Sequence, residues 1–224
     1  MQKKDEFISM ASHELKTPVT SLKAYTEILK IKLEEENNLM AVTMLTKMNR
    51  QIDKLTHLIG DLLDVSKANA GMLNYNFEDT DFNELVKDVV VNMQLTSTNH
   101  QIEMNLAETT VIECDKNRLG QVIINILSNA MKYSPRSGKI EVTSVKRDQD
   151  VSLYIQDYGI GIPLDQQSKL FSRFFRVTEN TFPGLGLGLY ISNEIIKRHS
   201  GSMSFTSEEG KGSTFGFTLP IKNR

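Results

Sequence analysis

His13 stands beside Glu14 in the run FISMASHELKTPVTSL, residues 7–22, with Thr17 one helical turn on and Pro18 directly after it. An imidazole with an ordinary pKa of about 6.5 is largely neutral and nucleophilic at pH 7, and a neighbouring carboxylate can polarise it. The heptad grid puts His13 on a polar face with Ser9, Lys16, Thr20, Lys23, Glu27, Lys30 and Glu34. That face is read as open to water. Pro18 sits inside the helical pattern, where a missing N–H costs about 3 kcal/mol and kinks a helix. An exposed imidazole just before a kink suggests a site that something must reach. A solvated, idle histidine remains the plainer reading of this stretch alone. His57, on an amphipathic helix, and His100, beside a strand-like run, keep that plainer reading. So does His199, at a helix end where partial positive charge suits the dipole.

Three further pieces have the chemistry of a nucleotide pocket. In NRLGQVIINILSNAMKYS, Asn125 and Asn129 are four apart and share a helical face, with Lys132 and Tyr133 continuing it. Asn is an indifferent helix former, so two on one stripe of an apolar helix need a reason. An Asn carbonyl oxygen is a hard ligand suited to Mg²⁺, and Lys132 can meet a phosphate. Buried Asn satisfied by backbone is the alternative. In DYGIGIP, a strand ends in Asp157, and Gly159 and Gly161 then let backbone approach a ligand closely. Asp157 can accept from an exocyclic amino group such as that of adenine. In GLGLGL, Gly184, Gly186 and Gly188 lead into a helix whose free N–H groups and dipole favour an anion. The spacing differs from the dinucleotide-binding fingerprint. Between these pieces, LFSRFFRVTENTFP reads as a lid, with Arg176 available to a terminal phosphate.

The elements that hold these residues follow from periodicity. Ile8, Leu15, Leu22 and Leu29 recur at heptad spacing with Ala11, Pro18 and Tyr25 between them, the seam of a helix over about residues 4–35. After EEENN, a second helix carries Ala41, Met48, Leu55 and Leu62 at one core position and Leu45, Ile52 and Ile59 at the other. Two such helices make an antiparallel hairpin, which buries too little alone and so is expected to pair with a second copy as a four-helix bundle, packing against its own downstream domain being the alternative. The periodicity breaks near Ala70–Gly71. Strands are expected at 74–82, 101–106, 110–113, 139–146, 151–157, 201–206 and 213–219. Helices are expected at 83–95 behind an Asn cap, at 115–133 behind Asp115, and from about 185 to 199. Sheet with layered helices predicts an α+β sandwich over 71–224 behind a helical domain over 1–70.

Bulk numbers bound the rest. The 224 residues allow one large or two small domains, and 39% hydrophobic with 24% charged residues is ordinary for a globular chain. A net charge of -2 gives no support for nucleic-acid binding. Cys114 is the one cysteine and reads as a small packing residue in a reducing, cytoplasmic setting.

Together the pieces resemble the transmitter region of sensor histidine kinases, with a dimerisation and phosphoacceptor hairpin followed by a Bergerat-type ATP-binding domain. SHELKTP resembles the family's H box, DKNRLGQVIINILSNAMKYS its N box, and DYGIGIP its first glycine box. LFSRFFR resembles its F box, GLGLGLYIS its second glycine box, and GKGSTFGFTLP its closing strand. Leu185 and Pro183 depart from the commoner Thr and Gly, and Lys16 from Arg. The resemblance implies ATP and Mg²⁺, a homodimer, and onward transfer from phosphohistidine to an aspartate of a response regulator receiver domain. His13 would be the phosphoacceptor, Glu14 its base, and Thr17 the residue orienting water in the reverse, phosphatase direction. Asn129 would hold Mg²⁺, with Asn125 and Lys132 beside the phosphates and Tyr133 against the base. Asp157 would read adenine, Arg176 would lie near the γ-phosphate, and Gly159, Gly161, Gly184, Gly186 and Gly188 would shape the pocket and the lid hinge. An upstream sensor or membrane module is expected, making this the cytoplasmic portion of a membrane-bound sensor, or else a cytoplasmic kinase whose input comes from elsewhere. A gyrase-like ATPase or serine kinase would share the pocket residues without using SHELKTP. A dimeric scaffold that no longer binds MgATP is the non-enzymatic alternative.

Overall fold

The computed structural model describes residues 2–35, 38–69, 75–177 and 185–221. The chain divides into two compact units, Met1–Leu73 and Asn74–Arg224.

The first unit is a pair of long helices, α1 (Gln2–Glu35) and α2 (Leu39–Asn69). Asn38 opens α2 by accepting the Ala41 N–H on its side-chain oxygen at 3.2 Å, as an N-cap should. The helix assignment of α1 continues through Pro18, so the proline does not end it. Val19 and Thr26, one heptad apart, are buried, as are Leu45, Ile59 and Val65 of α2. Thr26 donates to the Asn49 side chain, and Lys23 meets Asp53 at 2.5 Å. Partners whose numbers rise on one helix as they fall on the other make the pair antiparallel. The stripe Leu15, Leu22, Tyr25 and Leu29 is not the surface that meets α2: each member is about half exposed or more. The apolar face of α1 is wider than one partner helix can cover, and Val19 and Thr26 take the contact.

The second unit is built on a mixed five-stranded sheet. Its strands are β2 (Gln101–Asn105), β4 (Lys139–Lys146), β5 (Asp150–Asp157), β6 (Ser202–Glu208) and β7 (Gly212–Pro220). The order is β2-β4-β5-β7-β6, with β2 parallel to β4 and the other pairs antiparallel. A separate antiparallel pair joins β1 (Glu78–Asp81) to β3 (Val111–Cys114). Alternation selects the buried face: Ile140, Val142 and Ser144 on β4 oppose Asp157, Ile155 and Leu153 on β5. The helices α3 (Phe82–Thr96), α4 (Lys116–Tyr133) and α6 (Gly188–Arg198) complete the core. Along α4, Leu119, Val122, Ile123, Ile126, Leu127 and Ala130 are buried at helical spacing, and each large one contributes about 2 kcal/mol. Phe82 of α3 meets Phe217 of β7 edge-on at 6.3 Å. A short α5 (Leu164–Gln167) lies in the glycine-rich stretch, where the sequence shows no helical pattern.

Three local expectations need correction. Among the described residues of the strand-like stretch 74–82, only 78–81 are strand. The preceding Tyr75 and Phe77 rings pack on the His199 ring instead, at 5.7 and 4.9 Å. The cap of α3 is Asp81, whose carboxylate accepts the Asn83 and Glu84 N–H groups, rather than an Asn. His199 is the C-cap of α6, but it is buried and holds complementary hydrogen bonds. Nδ1 donates to Ile195 O at 2.8 Å and Nε2 accepts the Asp115 N–H at 2.9 Å. Those roles belong to a neutral ring, not to a cation compensating a dipole.

Candidate active site

α4 supplies the first wall. Asp115 caps it by accepting the Arg118 N–H at 3.0 Å, and the same carboxylate accepts the Asn76 N–H at 2.9 Å. Asn125, Asn129 and Lys132 fall on a partly exposed stripe of this helix. Among the described residues no side chain hydrogen-bonds to Asn129. The Lys132 ammonium lies 4.8 Å from the Tyr133 ring centroid, a cation–π contact.

The second wall is the loop after β5. Asp157 is 4% exposed at the strand end. Its carboxylate accepts the Gly159 N–H at 2.9 Å and the Ser213 N–H, yet burial outweighs both and pushes its pKa up. The loop is pressed between two pieces of backbone. On one side, Tyr133 O at the end of α4 accepts the Ile160 N–H at 3.1 Å, and a Cβ on Gly159 would lie 2.1 Å from that oxygen. On the other, Gly161 has φ +65, and its Cβ would meet Glu208 O at 2.0 Å. No side chain fits at either position. Gly212, at φ +108, packs against Asp157 O in the same way; it and Ser213 belong to the site although sequence reasoning passed over them. The EEGKG turn was the signal available.

The third wall is the segment around α6. Gly186 has φ +70 and leaves no room beside Phe175 O. Gly188, the first residue of α6, faces the Asn125 side chain, whose Nδ2 donates to Ser192 Oγ at 2.8 Å. Arg173 donates to Tyr190 OH at 2.7 Å and stacks 4.7 Å from its ring centroid, so the stretch before Arg176 is tied to the first turn of α6. Sequence reasoning missed Ser192, Arg173 and Tyr190, because each acts through a partner remote in the chain. Arg176 is half-buried.

The structure therefore gathers Asn125, Gly186 and Gly188 at one junction, and Tyr133, Asp157, Gly159 and Gly161 at another, joined by α4. His13, Glu14 and Thr17 lie on α1, but their side chains fall outside the described residues, as does Gly184. Among the described residues no group of three His, Cys, Asp or Glu side chains could hold a metal. A divalent ion here would need an amide oxygen together with oxygens from its ligand, and Asn129 fits that demand. No helix among the described residues is long and apolar enough to cross a membrane.

The family model "His Kinase A (phospho-acceptor) domain" matches residues 3–71. The model "Histidine kinase-, DNA gyrase B-, and HSP90-like ATPase" matches residues 114–223. The chain belongs to the histidine kinase family and is a transmitter region of that family. It is 34% identical over 228 residues to the sensor histidine kinase WalK of Bacillus subtilis (strain 168), covering 99% of this chain and 37% of that protein. It is 33% identical to the sensor protein kinase WalK of Staphylococcus aureus, covering 97% of this chain and 54% of that protein. The chain thus spans between a third and about half the length of these curated relatives. Among solved structures, full-length ShkA in complex with AMPPNP superposes with a TM-score of 0.79 at 25% identity, over 98% of this chain and 46% of that one. The Acinetobacter baumannii histidine kinase AdeS gives 0.66 at 28% identity, over 94% of this chain and 98% of that one.

Proposed function

We propose that this chain autophosphorylates His13 with MgATP and passes the phosphoryl group to an aspartate of a response regulator receiver domain. What carries the reading is one chain that joins a helix bearing His13–Glu14 to a sheet unit whose buried carboxylate, Asp157, is ringed by side-chain-free backbone. Residues 1–70 serve as the dimerisation and phosphoacceptor domain, and 71–224 as the ATP-binding domain. Asp157 reads the exocyclic amino group of adenine, and Gly159 and Gly161 let the base reach it. Tyr133 packs on the base. Gly184, Gly186 and Gly188 bring the α6 N–H groups to the phosphates, with Asn125 and Lys132 beside them and Arg176 near the terminal one. Asn129 holds Mg²⁺, which when bound neutralises phosphate charge. The γ-phosphorus–oxygen bond to ADP breaks as a bond forms to a ring nitrogen of His13, and Glu14 takes the imidazole proton. Thr17 orients water when the same domain dephosphorylates the regulator. The half-exposed Leu15, Leu22 and Leu29 supply the surface on which a second copy docks. The chain works as the cytoplasmic part of a sensor whose input module lies elsewhere.

The test is the chemistry of the labelled product. Incubation with γ-labelled ATP is expected to give an acid-labile, alkali-stable phosphoprotein that disappears in His13→Ala. An acid-stable phosphoserine, or label retained in that variant, would overturn the proposal and favour a serine kinase on the same ATP-binding fold.

A further inference from the structure

Gly188 opens α6 with ordinary helical backbone, so it is not glycine for the sake of a left-handed φ. It is glycine for space. A Cβ there would stand 2.3 Å from Asn125 Oδ1, 3.0 Å from its Cγ and 3.1 Å from its Nδ2, so the Asn125 carboxamide occupies the room a side chain would take. One turn further along the same face of α6, Ser192 is 2% exposed, and its Oγ accepts from Asn125 Nδ2 at 2.8 Å. Both ends of the carboxamide are therefore committed to α6. Its oxygen lies against the Gly188 Cα and its nitrogen donates to Ser192. Leu187 offers no side-chain cap to this helix, so the first-turn N–H groups rely on other partners. Asn129, one turn along α4, is half-buried and makes no side-chain hydrogen bond among the described residues.

We infer that Asn125 is a positioning residue, seated in a slot formed by Gly188 and Ser192, which fixes the first turn of α6 against α4 and so aims its N–H groups. The two N-box amides divide the work. Asn129 faces the ligand, and Asn125 acts through α6. Ser192 holds the end of the amide that faces away from Gly188. This rests on the nucleotide-site reading above and assigns a different job to one of its members.

Calorimetric titration of the full chain with MgATP tests it on Asn125→Ala, Gly188→Ala, their double variant, and Ser192→Ala. Each single change is expected to weaken MgATP by about tenfold, the scale of a lost supporting contact. The double variant is expected to bind no worse than Asn125→Ala alone, because removing the carboxamide frees the space that a Cβ at 188 needs. The Mg²⁺ concentration giving half-maximal nucleotide binding should stay at the wild-type value in Asn125→Ala and Ser192→Ala, and rise in Asn129→Ala. Losses that multiply in the double variant, or an increased Mg²⁺ requirement in Asn125→Ala, would overturn the inference. Should Gly188→Ala not fold, Ser192→Ala decides alone, and wild-type affinity there is also fatal. A wild-type chain that binds no MgATP defeats the nucleotide-site reading itself, which is a different result from binding with independent effects.

Discussion

The Asp157 carboxyl keeps two N–H donors, from Gly159 and Ser213, and still burial holds its pKa above the ordinary carboxylate value. A carboxyl whose native pKa is raised makes the folded state bind the extra proton. Its ionisation therefore costs stability, a cost that sets in as pH rises past the unfolded carboxylate value and is complete above the raised native one. Asp157→Asn keeps an acceptor for the Gly159 N–H and removes the buried charge. The variant is expected to melt higher, by about 2–4 °C for each kcal/mol regained. It should also lose MgATP affinity by about tenfold or more, as when a charged hydrogen-bond partner is deleted. Calorimetric scans of the second unit's transition and a binding titration check both, and a lower melting point would contradict the burial argument. Asp157, Gly159 and Gly161 were legible in the sequence because one strand end and one turn create their setting. Gly188 was legible as a glycine but not for its reason, which lies sixty-odd residues away in the Asn125 side chain.

At the scale of elements, Asp115 binds three pieces together. Burial alone would raise its pKa, but the N–H groups of Asn76, Arg118 and Asn117 outweigh it and hold the carboxylate below its ordinary value. A depressed native pKa contributes stability that is complete above the unfolded value and is lost as pH falls through the native one. Asp115→Asn keeps a good helix cap, so it is expected to lose less than about 1 kcal/mol at pH 7, while the fall in urea midpoint from about pH 5 to pH 2 becomes shallower. An acid limb as steep as that of the parent protein would show that the Asp115 charge is not involved. The α4 start was readable from Asp115 followed by an apolar run at helical spacing. The start of α3 was misread by two residues, because Asp81 and Asn83 are both capping types and only the backbone angles choose between them. The stretch before β1 looked like strand for a related reason. Tyr75 and Phe77 have strand-like chemistry, but their rings found a histidine more than a hundred residues later.

For the molecule as a whole, the two units call for different accounts of stability. The second has a buried core of its own, from Phe82 to Leu219. The first leaves Leu15, Leu22, Leu29, Met48 and Leu55 about half exposed along its two helices, more apolar surface than a solitary hairpin can leave in water and remain stable. A second hairpin related by a two-fold axis would cover the same stripe on both copies at once. In such a bundle Leu22 and Leu29 lie one heptad apart on one seam, and a carboxylate at either would be buried without a partner, at a cost of several kcal/mol. The double variant Leu22→Glu, Leu29→Glu is accordingly expected to sediment as a monomer where the parent sediments as a dimer. Because the hairpin then loses its cover, the helical signal of the first unit should melt at lower temperature while the transition of the second unit stays in place. A dimer that survives both substitutions would mean that these leucines cover something other than a copy of themselves.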